Sequence, residues 1–338
     1  MKHLLIVTAI VAGASDIANA DHHLVAHTVL ANLDNPSGIA VHPSTGDLYI
    51  ATHAGVLHYV PGEGNWELHL EIGDYPNPET STYGKGPIYK IGPLGVAFLD
   101  AEHLIVGDGS RPDGEELVRI YKIGGDEHEA QTEADAVATL GPITAGDDSV
   151  RGEGNYYGVA VGAGSIFVTC NGDDTKGWVS IASASLQSGV LSPFIATKLA
   201  TGVDAPVAIT FTPDGGTLVV GQMGEMNVPG DSLLTFYNPK SGQLQAKYET
   251  GMSDIAGLAY SPETGKLYAV DFAWSATENG GLFEVDPGSG EAVKIADLDK
   301  PTSLTFDRGG NLYVTQFGTA AESSGVAPGS VVRFAAGL

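Results

Sequence analysis

Polar side chains recur at matching points of a repeated pattern, where short apolar runs that we predict to be strands come to an end. Asp108 and Asp271 end two of these runs, and Asn171 follows a third. Carboxylate and amide oxygens are the ligands that Ca²⁺ prefers. These three residues are therefore a candidate calcium site, although nothing in the sequence requires a cofactor. The whole set, expected to ring the mouth of a channel, is His53, Asp108, Asn171, Gln222, Asp271 and Gln316. Alternatively, such side chains hydrogen-bond neighbouring blades and water.

His53 is the histidine of this set, and imidazole is the side chain best suited to general-base work near neutral pH. A solvated loop histidine is the alternative interpretation. A second set, predicted to lie above the ring and to contact a ligand, comprises Arg151, Asn155, Tyr156, Tyr157 and Trp274. The aromatic side chains of this face, with Tyr75 and Tyr83, are expected to be exposed.

The ten histidines lie mostly in the first half of the chain and show no H-E-x-x-H motif. We expect His42, His58, His69 and His103 to be spread over different repeats, which argues against a zinc enzyme. If a leader is cleaved after Ala20, the new amino terminus reads Asp21-His22-His23. A free amine with His23 at position three can bind Cu²⁺ or Ni²⁺ in square-planar geometry, although chance also explains this spacing.

Six copies of one pattern position these residues. Each copy has a first strand of small and apolar residues, a tight polar turn and a second apolar strand. The copies cover residues 36–52, 93–108, 156–171, 206–222, 255–271 and 301–316. A period of about 50 residues with Gly-rich turns is typical of a β-propeller. The sequence therefore predicts an all-β, six-bladed β-propeller of four-stranded blades over residues 21–338.

The ends of the chain predict how the ring closes. The first repeat has four predicted strands, Gly38–Val41, Asp47–Thr52, Gly55–Val60 and Trp66–Glu71. The last repeat ends after Ser330–Phe334 and lacks a fourth strand. We expect the segment His23–Asp34 to supply it, because closure removes open sheet edges.

Loop lengths predict which face of the ring is functional. The turns between first and second strands and between third and fourth strands are short and rich in Gly and Pro. The connections Gly73–Gly92 and Gly141–Asn155, and most loops between second and third strands, are long. Topology places the long loops on one face, where binding and catalysis concentrate in rigid scaffolds.

The segments NPSGIAVHPSTGDLYIAT, from Asn35, and KPTSLTFDRGGNLYVTQ, from Lys300, resemble NHL-type repeats. That group shades into the gluconolactonase-like propellers, which include lactonases and organophosphate hydrolases. The resemblance implies a six-bladed ring and, for the hydrolases, a divalent metal held by Glu, Asn and Asp just before the inner strands. The corresponding residues here are Ser37, Leu94, Tyr157, Val207, Ala256 and Thr302. None carries a carboxylate or an amide, and Asn35, Asn155 and Asp254 form only a displaced, partial set.

Composition restricts the partners and the compartment. The net charge of −25, from 41 acidic and 16 basic residues, repels nucleic acid and anionic membranes.

Residues 1–20 resemble a secretory signal peptide, with the apolar run Leu4–Ala12 and the cleavage pattern Ala18-Asn19-Ala20. That run is too short to span a bilayer, and no later segment is apolar enough, so we predict a secreted or periplasmic protein with no integral membrane segment after cleavage. The single cysteine, Cys170, excludes an internal disulfide, and we expect it to be a buried small hydrophobe rather than a catalytic thiol.

These observations favour an exported binding or scaffold propeller that engages a protein, a glycan or a small ligand through its long-loop face. The alternative is a periplasmic, metal-dependent lactonase-like hydrolase or lyase with its site at the channel mouth. The missing metal-ligand set favours the first prediction, and the sequence leaves enzymatic activity open.

Overall fold

A computed structural model describes residues 24–62, 67–76, 90–124, 129–321 and 325–338. The predicted leader, His23, Trp66 and Tyr83 lie outside these ranges. Within them the chain forms six four-stranded antiparallel sheets arranged in a ring. The prediction of a six-bladed β-propeller is confirmed.

Within each blade, successive strands run from the innermost to the outermost. Blades 1 and 2 contain β2 (Gly38–Val41), β3 (Leu48–Thr52), β4 (Gly55–Val60), β5 (Glu67–Ile72), then β6 (Pro93–Asp100), β7 (His103–Asp108), β8 (Val118–Lys122) and β9 (Ala138–Leu140). Blades 3 and 4 contain β10 (Val159–Gly162), β11 (Ser165–Thr169), β12 (Trp178–Ser183), β13 (Ser192–Ala196), then β14 (Pro206–Phe211), β15 (Leu218–Gln222), β16 (Leu233–Tyr237) and β17 (Leu244–Glu249). Blades 5 and 6 contain β18 (Ile255–Tyr260), β19 (Leu267–Asp271), β20 (Gly281–Val285), β21 (Ala292–Asp297), then β22 (Pro301–Phe306), β23 (Leu312–Gln316), β24 (Gly329–Phe334) and β1 (His27–Leu33).

Helical structure in the described ranges is confined to short connections. The helix α1 (Thr197–Thr201) joins blade 3 to blade 4 and ends at Gly202, whose φ is 88°. Two 3-10 turns cover Glu133–Asp135 and Thr277–Asn279. None of these helices has the length and apolar character needed to cross a membrane.

The inner strands are composed of small residues because neighbouring blades approach closely at the axis. A methyl group on Gly38 would overlap the carbonyl oxygen of Leu94 in the next blade, and one on Gly95 would overlap that of Tyr157. Glycine is therefore required by the backbone of the adjacent inner strand. The same crowding explains why the repeat is recognisable in the sequence.

The amino-terminal strand closes the ring as predicted. β1 is the outermost strand of blade 6 and pairs antiparallel with β24, from His27 opposite Arg333 to Leu33 opposite Gly329. The Thr302 hydroxyl of blade 6 also donates to the carbonyl of Pro36, which leads into blade 1 (2.6 Å). The first and last strands of the described chain are thus held in one blade.

The cores lie between blades, where apolar residues of facing sheets interdigitate. Cys170 belongs to the core between blades 2 and 3 and is completely buried, with its sulfur 3.1 Å from the Ser180 hydroxyl. Burial raises the pKa of this thiol well above its ordinary value. The prediction of a buried small hydrophobe is confirmed, and a thiol held neutral in this way is a poor nucleophile.

Candidate functional site at the channel mouth

The mouth of the channel lies where the starts of the inner strands meet the ends of the second strands. Two positions of the repeat supply most of its lining. One is the start of the inner strand, and the other is the residue that follows the second strand. The described lining residues are Ile91, Leu94, Tyr157, Asn171, Val207, Met223, Ala256, Phe272, Trp274, Thr302 and Phe317. This surface is apolar and aromatic, whereas a polar ring was expected.

Tyr157 separates the mouth from the channel beneath it. Its hydroxyl donates to the carbonyl oxygen of Thr302 at 2.8 Å, which joins blade 3 to blade 6 on the opposite side of the ring. Tyr157 lines both the mouth, a space of about 40 Å³, and a lower cavity of about 280 Å³ between the inner strands. The tyrosine is therefore the floor of the mouth.

An aromatic cluster forms one wall of the mouth. Phe272 stacks on Trp274 with ring centroids 4.3 Å apart, and Phe317 meets Phe272 edge-on at 5.8 Å. The backbone N–H of Trp274 donates to the carboxylate of Asp254 at 2.6 Å. Trp274 is half-buried, so its ring lines the mouth while its backbone is fixed by Asp254.

Three of the predicted ring residues bond to the backbone that enters their own blade. Asp271 accepts from the backbone N–H groups of Ser253 (2.9 Å), Asp254 (2.7 Å) and Ala273 (3.0 Å). Gln316 accepts from the N–H of Asp299 at 2.7 Å, and Gln222 donates to the carbonyl of Val203. All three side chains are buried. These side chains therefore have a structural role, but their partners lie in their own blade and not in neighbouring blades.

Asp108 has a different network, with basic partners. One carboxylate oxygen accepts from the backbone and hydroxyl of Ser110, and the other contacts Arg111. Arg111 and Arg119 both bridge to Glu133. The oxygens of Asp108 are therefore already bonded to protein donors.

The residues of the mouth do not fit a calcium ion. Ca²⁺ takes six to eight oxygen ligands, carboxylates above all. Of the proposed trio Asp108, Asn171 and Asp271, the described lining of the mouth contains only Asn171. The two aspartates are fully buried in the hydrogen bonds above. The described residues of the mouth therefore give no support to metal-dependent chemistry at this site.

The predicted loop-face residues divide into exposed and buried members. Arg151 is exposed and Tyr157 is half-buried. Asn155 donates from its side chain to the carbonyl of Asn171 at 3.1 Å and thus connects the loops of blades 2 and 3. The expected exposure of Tyr156 and Tyr75 was wrong, since both are buried. Tyr156 packs in the core between blades 2 and 3, in the space left by the absent side chain of Gly107.

Three buried carboxyl groups lie behind the mouth, and of these only Asp254 was named from the sequence, as part of the displaced ligand set. Burial, followed by the charge of Asp108, raises the pKa of Glu116 to about 9. Burial also raises the pKa of Glu153 and that of Asp254 to about 7. One oxygen of each has no hydrogen-bond partner among the described residues. The sequence shows these residues as acids but does not show that they are buried.

His53 is buried rather than solvated. Its Nδ1 lies 2.9 Å from the Asp34 carboxylate, and its Nε2 is buried without a hydrogen-bond partner in the described ranges. Gly92 packs against the backbone of His53, and the preceding residue, Ile91, lines the mouth. A carboxylate that holds one imidazole nitrogen leaves the other oriented for proton transfer.

The expectation that His42, His58, His69 and His103 lie in different repeats was wrong, since the first three all belong to blade 1. His58 in β4 and His69 in β5 both belong to blade 1 and lie directly opposite each other. The register of this hairpin brings them together although they are separated in sequence by the turn. The argument against a zinc site that rested on their separation therefore fails.

Comparisons with known proteins identify the fold. No family model matches the chain, and no curated protein sequence matches it. Among solved structures, a glucose dehydrogenase matches with a TM-score of 0.60 and 16% identity, over 93% of this chain and 100% of the other. A gluconolactonase from Xanthomonas campestris matches with a TM-score of 0.56 and 14% identity, over 90% of this chain and 88% of the other. A calcium-binding regucalcin from Agrobacterium tumefaciens gives 0.57 and 10%, over 92% and 93%.

The fold and the site together define a six-bladed β-propeller with an apolar, aromatic channel mouth. Its architecture is that of the gluconolactonase-like and regucalcin-like propellers, as the sequence resemblance implied. Identities of 10–16% establish the fold alone, and propellers carry many unrelated activities on this architecture.

Proposed function

We propose that this protein is a binding propeller that takes a small organic ligand at the mouth of its channel. The observation that carries the proposal is the lining of the mouth, in which Phe272, Trp274 and Phe317 face a depression with Tyr157 as its floor. Small-molecule sites are typically concave and mainly apolar, with a few polar groups that fix orientation. Asn171 is such a group at the rim.

The chemistry of the lining selects the class of ligand. Half-buried Trp274 offers an aromatic face, which suits the flat apolar face of a sugar ring or of an aromatic compound. The amide of Asn171 can donate to and accept from a ligand hydroxyl or carbonyl group. The space of about 40 Å³ admits only part of a ligand, so a terminal residue of a glycan, the edge of a free sugar or that of a small aromatic carbonyl compound meets both requirements.

A ligand screen with matched variants tests this proposal. Sugars, lactones and aromatic carboxylates would be ranked by thermal shift, and the hits measured by calorimetry. We expect Trp274→Ala and Asn171→Ala to weaken binding at least about tenfold, which corresponds to about 1.4 kcal/mol. Trp178→Ala is the matched control, because that indole donates to the carbonyl of Asp148 and does not line the mouth. Unchanged affinity in Trp274→Ala would reject the site.

We further propose that the protein is exported, because of the leader-like residues 1–20 and the strongly acidic composition. Expression of the full chain in a bacterial host, followed by mass spectrometry of the periplasmic fraction, tests this. A mature terminus at Asp21 supports export. Retention of the uncleaved chain in the cytoplasm contradicts it.

Lactone hydrolysis is the second candidate, favoured by the pairing of His53 with Asp34. In this reaction His53 takes a proton from the water that attacks the lactone carbonyl and returns it to the ring oxygen as the C–O bond breaks, which gives a hydroxy acid. General-base catalysis typically contributes 10²–10⁴-fold in rate. We expect His53→Ala to lose roughly that factor on any lactone that the protein hydrolyses. If His53→Ala and wild type turn over the lactone equally fast, this dyad is not the base.

A further inference from the structure

The hairpin of β4 and β5 places three metal-binding side chains on one face of blade 1, away from the channel mouth. His58 lies directly opposite His69 across the two strands. Glu71 is the unpaired residue at the register shift of this hairpin, and its carboxylate lies 3.1 Å from Nε2 of His69, on the same face. Side chains that are opposite on one face of an antiparallel pair lie within contact distance. The hairpin alone therefore brings two imidazoles and a carboxylate together.

The distances between these groups suit a single ion. Oε2 of Glu71 lies 3.1 Å from Nε2 of His69 and 3.6 Å from Nδ1 of His58. One ligand atom from each residue lies within 4.8 Å of the others. Ligand atoms around a tetrahedral zinc ion, with bonds of about 2.0–2.1 Å, are separated by about 3.3 Å. Small rotations, above all of His69, whose side chain is 40% exposed, bring all three to that separation.

Neighbouring residues hold two of the ligands, His58 and Glu71, in place. The Nε2 atom of His58 lies 3.2 Å from the carboxylate of Asp47, so its Nδ1 faces Glu71. Tyr49 stacks on the His58 ring, with centroids 4.4 Å apart and an interplanar angle of 13°. The other oxygen of Glu71 lies 3.4 Å from the side-chain amide of Gln131. A carboxylate on the far nitrogen of a histidine is the usual second-sphere partner of a metal-binding imidazole.

The charges of the cluster also favour a cation. The carboxylate of Asp47 lies 3.2 Å from Nε2 of His58, and that of Glu71 lies 3.6 Å from Nδ1 of the same ring. Two negative charges close to the imidazoles attract a cation to this position. An imidazole binds a metal ion through an unprotonated nitrogen.

We propose that His58, His69 and Glu71 form a binding site for a divalent transition-metal ion, best suited to zinc, on the outer hairpin of blade 1. Two imidazoles and one carboxylate favour zinc and its neighbours over calcium or magnesium, which prefer oxygen ligands alone. The exposed side of His69 leaves a fourth position for water. The site is independent of the ligand proposed for the channel mouth.

Calorimetric titration of the chelator-treated, tag-free full chain with ZnCl₂ tests the proposal. We expect one zinc ion per chain and a thermal shift that calcium does not reproduce. His69→Ala and Glu71→Gln should each weaken zinc binding at least about tenfold, and Asp47→Asn by about 10–100-fold, the usual effect of removing a second-sphere partner. Equal melting temperatures of the metal-free proteins would show that the variants fold.

Two controls separate this site from other histidines. His103→Ala removes an imidazole that is paired with Asp100 in blade 2, outside the cluster, and should leave zinc binding unchanged. His22→Ala/His23→Ala removes the histidines near the amino terminus and should also have no effect. The proposal is overturned if wild type binds no zinc, if binding survives His69→Ala and Glu71→Gln, or if either control abolishes it.

Discussion

The channel mouth and the outer hairpin of blade 1 differ in what their polar side chains contact. Behind the mouth, Asp271 and Gln316 are bonded to backbone N–H groups of the segment that enters their own blade. In the hairpin, His58, His69 and Glu71 are bonded to one another. Side chains of the first kind hold the chain in place, whereas those of the second kind can exchange a proton for another cation.

This difference follows from where backbone groups lack partners. The segments that enter the blades are not in strands, so their buried N–H groups need side-chain acceptors. The outer hairpin has its backbone paired within the sheet, from Val56 opposite Ile72 to Val60 opposite Glu67. The side chains of this hairpin are therefore not needed as hydrogen-bond partners for backbone groups. Polar side chains are therefore available for chemistry where the surrounding backbone N–H and C=O groups already have hydrogen-bond partners, as in this hairpin.

Replacing Asp271 with alanine is the largest expected perturbation and tests the structural side of this comparison. The change leaves the N–H groups of Ser253, Asp254 and Ala273 without their acceptor. Unsatisfied buried groups cost about 1–3 kcal/mol each, so we expect a loss of at least about 3 kcal/mol in the free energy of unfolding, measured with urea. Asp286→Ala, in an exposed turn, should lose much less. Equal, small losses in both variants would mean that Asp271 does not hold the loop.

The buried carboxyl of Glu116 provides a test by pH. Its pKa of about 9 in the folded protein exceeds the ordinary value of 4.5, so between these values the unfolded chain ionises while the folded chain stays neutral. The stability that this group contributes is complete below pH 4.5 and falls as the pH rises towards 9. Glu116→Gln removes this dependence. Its stability relative to wild type should rise with pH by up to about 1.4 kcal/mol per unit.

Urea midpoints at pH 5, 6.5 and 8 measure this effect. Glutamine can still accept from the backbone N–H of Asn155, so the loop contact is retained. Glu115→Gln is the matched control, because that side chain is exposed. A difference between Glu116→Gln and wild type that is the same at all three pH values would show that Glu116 ionises normally in the folded protein.

The fold could be predicted from sequence because the ring imposes local requirements on every repeat. Small residues such as Gly38 and Gly95 are needed where adjacent inner strands meet, and tight turns need glycine. The segment that includes β1 was recognisable because the last repeat lacked a strand. These constraints act over a few residues and are independent of the rest of the molecule, so the pattern displays them directly.

The candidate sites depend on side-chain direction and cross-strand register, which the repeat does not display. Successive residues of a strand face opposite sides, so Asp271 turns to the backbone while the next residue, Phe272, faces the mouth. The pair His58 and His69 lay within reach of the sequence, since both predicted strands were nearly right. The missing information was the pairing of the two strands, which includes an irregularity at Val56 and Leu57.

Replacing His69 with alanine is the smallest perturbation and tests the hairpin side of the comparison. Its side chain is 40% exposed and its partner is Glu71, so in metal-free protein we expect a loss below about 1 kcal/mol, as for surface ion pairs. With free zinc at a hundred times its dissociation constant, wild type should gain about 2.7 kcal/mol through binding to the folded state alone, and the variant should gain almost none. Urea unfolding with and without zinc measures both quantities. A loss in metal-free His69→Ala as large as that in Asp271→Ala would make the hairpin residues structural as well, because the imidazole would then be required for folding whether or not an ion binds.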